Sequence, residues 1–309
     1  MTGRAGVGPL VGIFPPASLL DEGPESMRAF LARAAGAGIS HVCCGDHVSF
    51  INGLGFDGLV QATALAALHP SLPVHTAVYL LPLRNPVLVA RQLADLSRLA
   101  PGRLVFGVGI GGEDRHEVSV CGVDPASRGR RMEESLTVLR QLLTGAPTDF
   151  RGEFFQLDQA LISPKADVPV IVGGRSDAAI RRAGRHGDGW LGIWNSPARF
   201  AAAVQLAADE AGRCGRPAPR RHAMQVWCGL AGSRQEARPL VADAMQQMYA
   251  VAFERFERYC PYGTPHDIAE FLNAYAAAGC SQFNLIPQAP DEDTALAGVA
   301  EVRRLLATD

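Results

Sequence analysis

The chain has 309 residues, 48% of them hydrophobic and 19% charged, with a formal net charge of −2. That length admits one large α/β barrel or two ordinary domains, and the apolar fraction suffices for a sizeable core, which excludes wholesale disorder. Near-neutral charge without a polybasic run excludes sequence-independent nucleic-acid binding and a charged membrane surface, and no apolar run approaches the ~18 residues of a membrane-spanning helix.

Met1 to Gly8 carries one arginine and then meets Pro9, which is not the layout of a signal peptide, so the expectation is a soluble, cytoplasmic protein. The seven cysteines, at 43, 44, 121, 214, 228, 260 and 280, are odd in number and contain no C-x-x-C pair. Neither a disulfide framework nor a metal site is expected from them. Lys165 is the only lysine, so nearly all basic charge is arginine.

In chain order, short apolar runs alternate with longer amphipathic ones. Leu10 to Phe14 reads as a strand ended by Pro15-Pro16, and Pro24 to Gly38 as a helix with Met27, Phe30, Leu31 and Ala34 on one face. Strands follow at Ile39–Cys44, Pro73–Tyr79, Arg103–Val108, Val168–Val172, Gly189–Trp194, His222–Leu230 and Gln282–Ile286. Helices are expected at Asp57–Leu68, Asn85–Leu99, Arg128–Leu143, Ser176–Arg185, Pro197–Arg213, Thr264–Ala278 and Thr294–Leu306. Strands that are apolar throughout, each followed by a helix, give a parallel sheet covered by helices; eight such units close into a (β/α)8 TIM barrel. An open doubly wound sheet is the alternative, but no G-x-G-x-x-G follows the first strand. No linker divides the chain, so residues 1–309 read as one domain.

Two stretches break the rhythm. Phe150 to Leu157 suggests a small hairpin. Arg234 to Gly263 is rich in Met and aromatic residues and reads either as an extra packed helix or oligomer contact, or as a lid over a substrate pocket.

Barrel chemistry sits at the C-terminal strand ends. After the second strand stands Asp46-His47, able to bind a ligand and shuttle a proton, or simply to cap a loop. The third strand carries Thr76-Ala77-Val78. After the fourth, Gly107-Val108-Gly109-Ile110-Gly111-Gly112 lets backbone approach a flat ligand, and Glu113 reads either as an acid–base carboxyl or as an exposed loop carboxylate. After the fifth, Gly173-Gly174-Arg175-Ser176 opens a helix, which makes an anion site, a tight turn, or both.

Together these residues resemble the bacterial luciferase-like monooxygenase superfamily. The resemblance is carried by Ala37 to His47; by Arg84 to Leu96 leading into Gly102 to Gly109; by Glu117 to Gly122 with Arg128, Glu133 and Glu134; and by Pro169 to Gly174 with Ala183 to Trp190. Gly263-Thr264-Pro265 and Ala278-Gly279 also fit. The resemblance implies a barrel that binds FMN or the deazaflavin coenzyme F420, often as a homodimer. Asp46-His47 looks like the pair that stands near the deazaflavin ring in the F420-dependent branch. Glu113 matches that branch's proton-donating carboxylate, with a register uncertain by one residue because of Gly112. Thr76-Ala77-Val78 matches a bulge beneath the ring, with a cis peptide at Ala77–Val78. Gly109, Ile110 and Gly111 belong to the cofactor loop, and Gly173, Gly174, Arg175 and Ser176 match the phosphate site, with Arg115 and Arg175 open to an anionic cofactor tail. The sugar-phosphate dehydrogenases of the branch use lysines on the substrate phosphate, and Lys165 lies in the wrong region for that. The expectation is an F420-dependent oxidoreductase acting on an apolar organic substrate. An FMN-dependent monooxygenase and a cofactor-binding protein without turnover are the alternatives.

Overall fold

The computed structural model describes residues 8–51, 53–112 and 114–307. Eight strands carry the fold: β1 (Leu10–Ile13), β2 (His41–Cys44), β3 (Val74–Leu80), β4 (Leu104–Gly109), β5 (Val170–Gly173), β6 (Gly189–Ile193), β7 (Ala223–Leu230) and β8 (Gln282–Gln288). They pair in the order β6-β5-β4-β3-β2-β1-β8-β7, and β6 pairs again with β7, so the sheet closes as a (β/α)8 barrel. β2, β4 and β5 are buried at every residue, as strands covered on both faces require. Helices follow the strands in turn, and their starts are written locally. Asp57, Asn85, Ser176, Thr264 and Asp291 each cap a helix by accepting a backbone N–H. Thr264 forms a full capping box with Asp267. None of the described helices is long and apolar enough to cross a membrane.

The chain divides into two compact units. One comprises Met1–Val42, Gly192–Gln205 and Arg220–Asp309; the other Cys43–Leu191 and Leu206–Pro219. In the first unit, His41 is enclosed and its Nε2 lies 2.8 Å from Asn284 Oδ1. Burial lowers its pKa from 6.5 to about 4, against the opposing pull of Asn284. Gly12 faces this ring: a Cβ added there would lie 2.2 Å from it.

The insertion also belongs to the first unit. It is a helix (Arg234–Tyr249), two short 3₁₀ turns and a two-residue strand, Tyr262–Gly263, beside β7. Val241, Met245, Phe253 and Cys260 pack with Trp194 and Trp227 into one cluster. Tyr249 meets the Trp194 ring edge-on at 5.0 Å and Phe256 lies 4.4 Å from it. Trp194 sits just beyond the C-terminal end of β6 with φ +49, a left-handed conformation rare for a bulky residue.

In the second unit, Glu133 of helix Arg128–Leu142 accepts from Arg182, Arg185 and His186 of helix Asp177–His186, at 3.0, 2.7 and 3.1 Å. Burial works against the carboxylate, but His186, Arg185 and the Arg182 charge hold its pKa down at about 2.

The hairpin expected at Phe150–Leu157 is present, pairing Thr148–Arg151 with Gln156–Ala160. Two further elements have no counterpart in the sequence expectation: a hairpin, His47–Phe50 with Leu54–Phe56, and a six-residue helix, Arg115–Val120, after β4. Both are too short for hydrophobic periodicity to register. The Asn52-Gly53 dipeptide was the available signal for the hairpin.

Candidate active site

All the described candidate residues lie in the second unit: Thr76, Ala77 and Val78 inside β3, the others at the C-terminal ends of β2, β4 and β5. Asp46 follows β2 and is 3% exposed. Its Oδ1 accepts from Gly58 N and Arg84 Nη2 at 2.9 and 2.7 Å, and its Oδ2 from Leu80 N and Arg84 Nη1 at 2.7 Å each. Arg84 also reaches Asp57 Oδ2 at 3.0 Å and lies 4.5 Å above the Tyr79 ring. Burial pushes the Asp46 carboxyl above its ordinary pKa, with the Arg84 charge and the two N–H donors pulling the other way. Asp46 therefore ties β2 to the end of β3 and to the start of helix Gly58–Leu68. Arg84 was quoted for the resemblance but not as a site residue; a buried acid facing a lone arginine just past a strand is the signal that would have found it.

His47 opens the hairpin. Its Nδ1 lies 3.2 and 3.1 Å from the two oxygens of Glu117, and its ring packs 4.1 Å from Phe50. Glu117, on helix Arg115–Val120, is 2% exposed and also accepts from Val48 N and Ser49 N at 2.7 and 3.2 Å. Asp114 caps the same helix and accepts from Ile51 N at 3.0 Å. One helical turn thus fastens the hairpin at three backbone N–H groups and one imidazole. Sequence reasoning missed Glu117 as a functional partner. Glu113 lies outside the described residues.

β3 bulges at Thr76-Ala77-Val78: Thr76 pairs with Phe106 and Tyr79 with Val108, so an extra residue is taken up between them. The Ala77–Val78 peptide is cis, and Thr76 Oγ1 donates to Gly107 O at 2.8 Å. The glycines of the neighbouring strands make room for this bulge. A Cβ at Gly107 would lie 2.0 Å from Thr76 O, at Gly109 2.5 Å from Val78, and at Gly173 2.9 Å from Val78. Part of the glycine pattern read as room for a ligand is therefore room for β3. Ile110 and Gly111 continue from β4, half-buried, and lead to Asp114.

At the end of β5, Gly174 has φ +135, and its carbonyl accepts the Trp190 indole N–H at 2.8 Å. Arg175 and Ser176 are exposed, and Ser176 Oγ accepts from Ala179 N to cap helix Asp177–His186. The remaining first-turn N–H groups and the helix dipole suit an anion such as a phosphate. Among the described residues no group of three or more His, Cys, Asp and Glu side chains is placed to hold a metal.

A sequence profile described as luciferase-like monooxygenase matches residues 7–301. An uncharacterised protein of Mycobacterium tuberculosis is 35% identical over 170 residues, covering 53% of this chain and 58% of its own length. An F420-dependent glucose-6-phosphate dehydrogenase of Kineococcus radiotolerans is 31% identical over 176 residues, covering 54% and 52%. The matched span is thus between half and three-fifths of each of these relatives. The solved structure of an F420-dependent secondary alcohol dehydrogenase in complex with an F420-acetone adduct superposes with a TM-score of 0.83 at 21% identity, covering 97% of this chain and 99% of that one, and so shares its fold. With the profile running over nearly the whole chain, the protein belongs to the luciferase-like monooxygenase family, whose members are flavin- or F420-dependent oxidoreductases and monooxygenases.

Proposed function

We propose that this protein is an F420-dependent oxidoreductase that transfers a hydride between F420 and an organic substrate. The observation that carries the reading is His47: a partly exposed imidazole, held by a buried carboxylate, after the strand that neighbours the bulged β3. The F420-dependent relative of Kineococcus supports it. Asp46 and Arg84 keep the end of β2 in place, and Thr76, Ala77 and Val78 with Gly109, Ile110 and Gly111 form the surface on which a flat ring would rest. Gly173, Gly174, Arg175 and Ser176, with the helix N-terminus, would hold the cofactor phosphate. A bound deazaflavin supplies the hydride chemistry. His47 holds and moves the accompanying proton.

The substrate is not a sugar phosphate in this reading. Lys165, the only lysine, precedes β5 and so stands at the opposite end of the strands from the site. The Met- and aromatic-rich composition of the Arg234–Gly263 stretch argues for an apolar organic substrate.

Equilibrium binding of the purified protein to F420 and to FMN in parallel, followed by the absorbance of F420 with alcohols, aldehydes and ketones, tests the proposal. F420 binding with reduction or oxidation is expected. Tight FMN binding with oxygen consumption, and no F420 binding, would replace it with a monooxygenase.

A further inference from the structure

We propose that Glu117 is a positioning residue that sets the tautomer of His47. The proposal rests on the reading of His47 as the proton-handling group. An imidazole can present either a lone pair or an N–H at the nitrogen facing a substrate, and the hydrogen bond at its other nitrogen decides which. Here Nδ1 faces both oxygens of Glu117, at 3.1 and 3.2 Å. A carboxylate only accepts, and Glu117 is committed to accepting: Oε1 already takes the N–H groups of Val48 and Ser49. The neutral ring therefore carries its proton on Nδ1, and Nε2 is left with a lone pair. Nε2 has no hydrogen-bond partner among the described residues, and the side chain is 28% exposed. Phe50, 4.1 Å away, restrains the ring plane. His47 thus stands ready to take a proton at Nε2 from an O–H or N–H group and to return it there.

The geometry also specifies a substitution that inverts this state with little change of shape. In Glu117→Gln the amide oxygen takes the Oε1 place, because Val48 N–H and Ser49 N–H need an acceptor. The amide NH2 then faces Nδ1 and donates to it. The ring responds by moving its proton to Nε2, which becomes a donor.

The test is 15N NMR of the histidine rings in the full chain, without cofactor or substrate, at a pH where His47 is neutral. The His47→Ala spectrum identifies the signals. In the wild type, Nδ1 is expected at the protonated-nitrogen position and Nε2 at the unprotonated one, and in Glu117→Gln the two exchange. Asp114→Ala, which removes a hairpin anchor without touching the ring, is expected to leave the wild-type pattern. A wild-type ring protonated on Nε2, a Glu117→Gln ring still protonated on Nδ1, or the same exchange in Asp114→Ala overturns the proposal. If Glu117→Gln fails to fold, the wild-type pattern alone decides. The measurement needs no turnover, whereas the functional reading of His47 falls separately, on a His47→Ala enzyme that reacts normally.

Discussion

Arg84 grips both carboxylate oxygens of Asp46, one with each terminal nitrogen, and each at 2.7 Å. Two backbone N–H groups, of Gly58 and Leu80, fill the remaining acceptor positions of the carboxylate, so the pair fastens the end of β2. Such a bidentate pair fixes direction as well as distance.

Removing one partner leaves a buried charge without its counter-ion. Arg84→Ala should destabilise the protein by about 3–5 kcal/mol, read as a lowered urea midpoint. Asp46→Asn, which keeps one acceptor for backbone, should cost less. Equal and small effects would show that water replaces the guanidinium freely.

Gly174→Ala should destabilise by roughly 1–3 kcal/mol, since φ +135 suits glycine alone. The new methyl would also lie 2.7 Å from the Ala179 side chain, at the start of the proposed phosphate-binding helix. Affinity for F420 should fall with stability. A folded variant with unchanged affinity would remove this turn from the binding site.

His47→Ala should lower turnover by ~10²–10⁴-fold, with any substrate the wild type accepts, while F420 affinity changes much less. Stopped-flow absorbance of F420 separates the two quantities. A loss confined to affinity would make His47 a binding group only.

Two groups give stability a stepped dependence on pH. His41 is kept neutral in the fold with a pKa of about 4, whereas an unfolded chain takes up the proton near 6.5. Its contribution is complete above pH 6.5 and is lost as pH falls to about 4, and for a fully enclosed ring it amounts to roughly 3 kcal/mol. Glu133 titrates at about 2 in the fold against 4.5, so its contribution is present above 4.5 and fades toward 2. About a third of that side chain is open to water, so its contribution is smaller, of order 2 kcal/mol. Urea midpoints across this range should show His41→Gln flattening the upper part of the curve and Glu133→Gln the lower. Parallel curves in both variants would contradict the assignment.

The barrel was legible because the strands are mostly runs of apolar residues and several helices, such as Gly58–Leu68 and Pro265–Ala277, carry their own side-chain cap, so local and global signals agree. The strand-end candidates could be located for the same reason: the topology says where strands end. Their partnerships could not. Asp46 and Arg84 are 38 residues apart and His47 and Glu117 are 70, and each pair meets only because a turn or a six-residue helix brings it together. The glycines of β4 and β5 were visible, but part of their meaning lay in a bulge on β3 whose Thr76 carbonyl and Val78 side chain they must clear.

Gly12 and His41 can be exchanged only in one order. With the ring in place and tied to Asn284, a methyl on residue 12 has nowhere to go. Once the ring is gone, the same methyl fills vacated space. Gly12→Ala should therefore be strongly destabilising alone and mild or favourable after His41→Ala, so that a double-mutant cycle gives a coupling of about 1–3 kcal/mol. A sequence drifting through this position must lose the imidazole before it gains the methyl. Relatives with a side chain at position 12 should then carry something smaller than histidine at position 41, a historical contingency that the present-day fold retains.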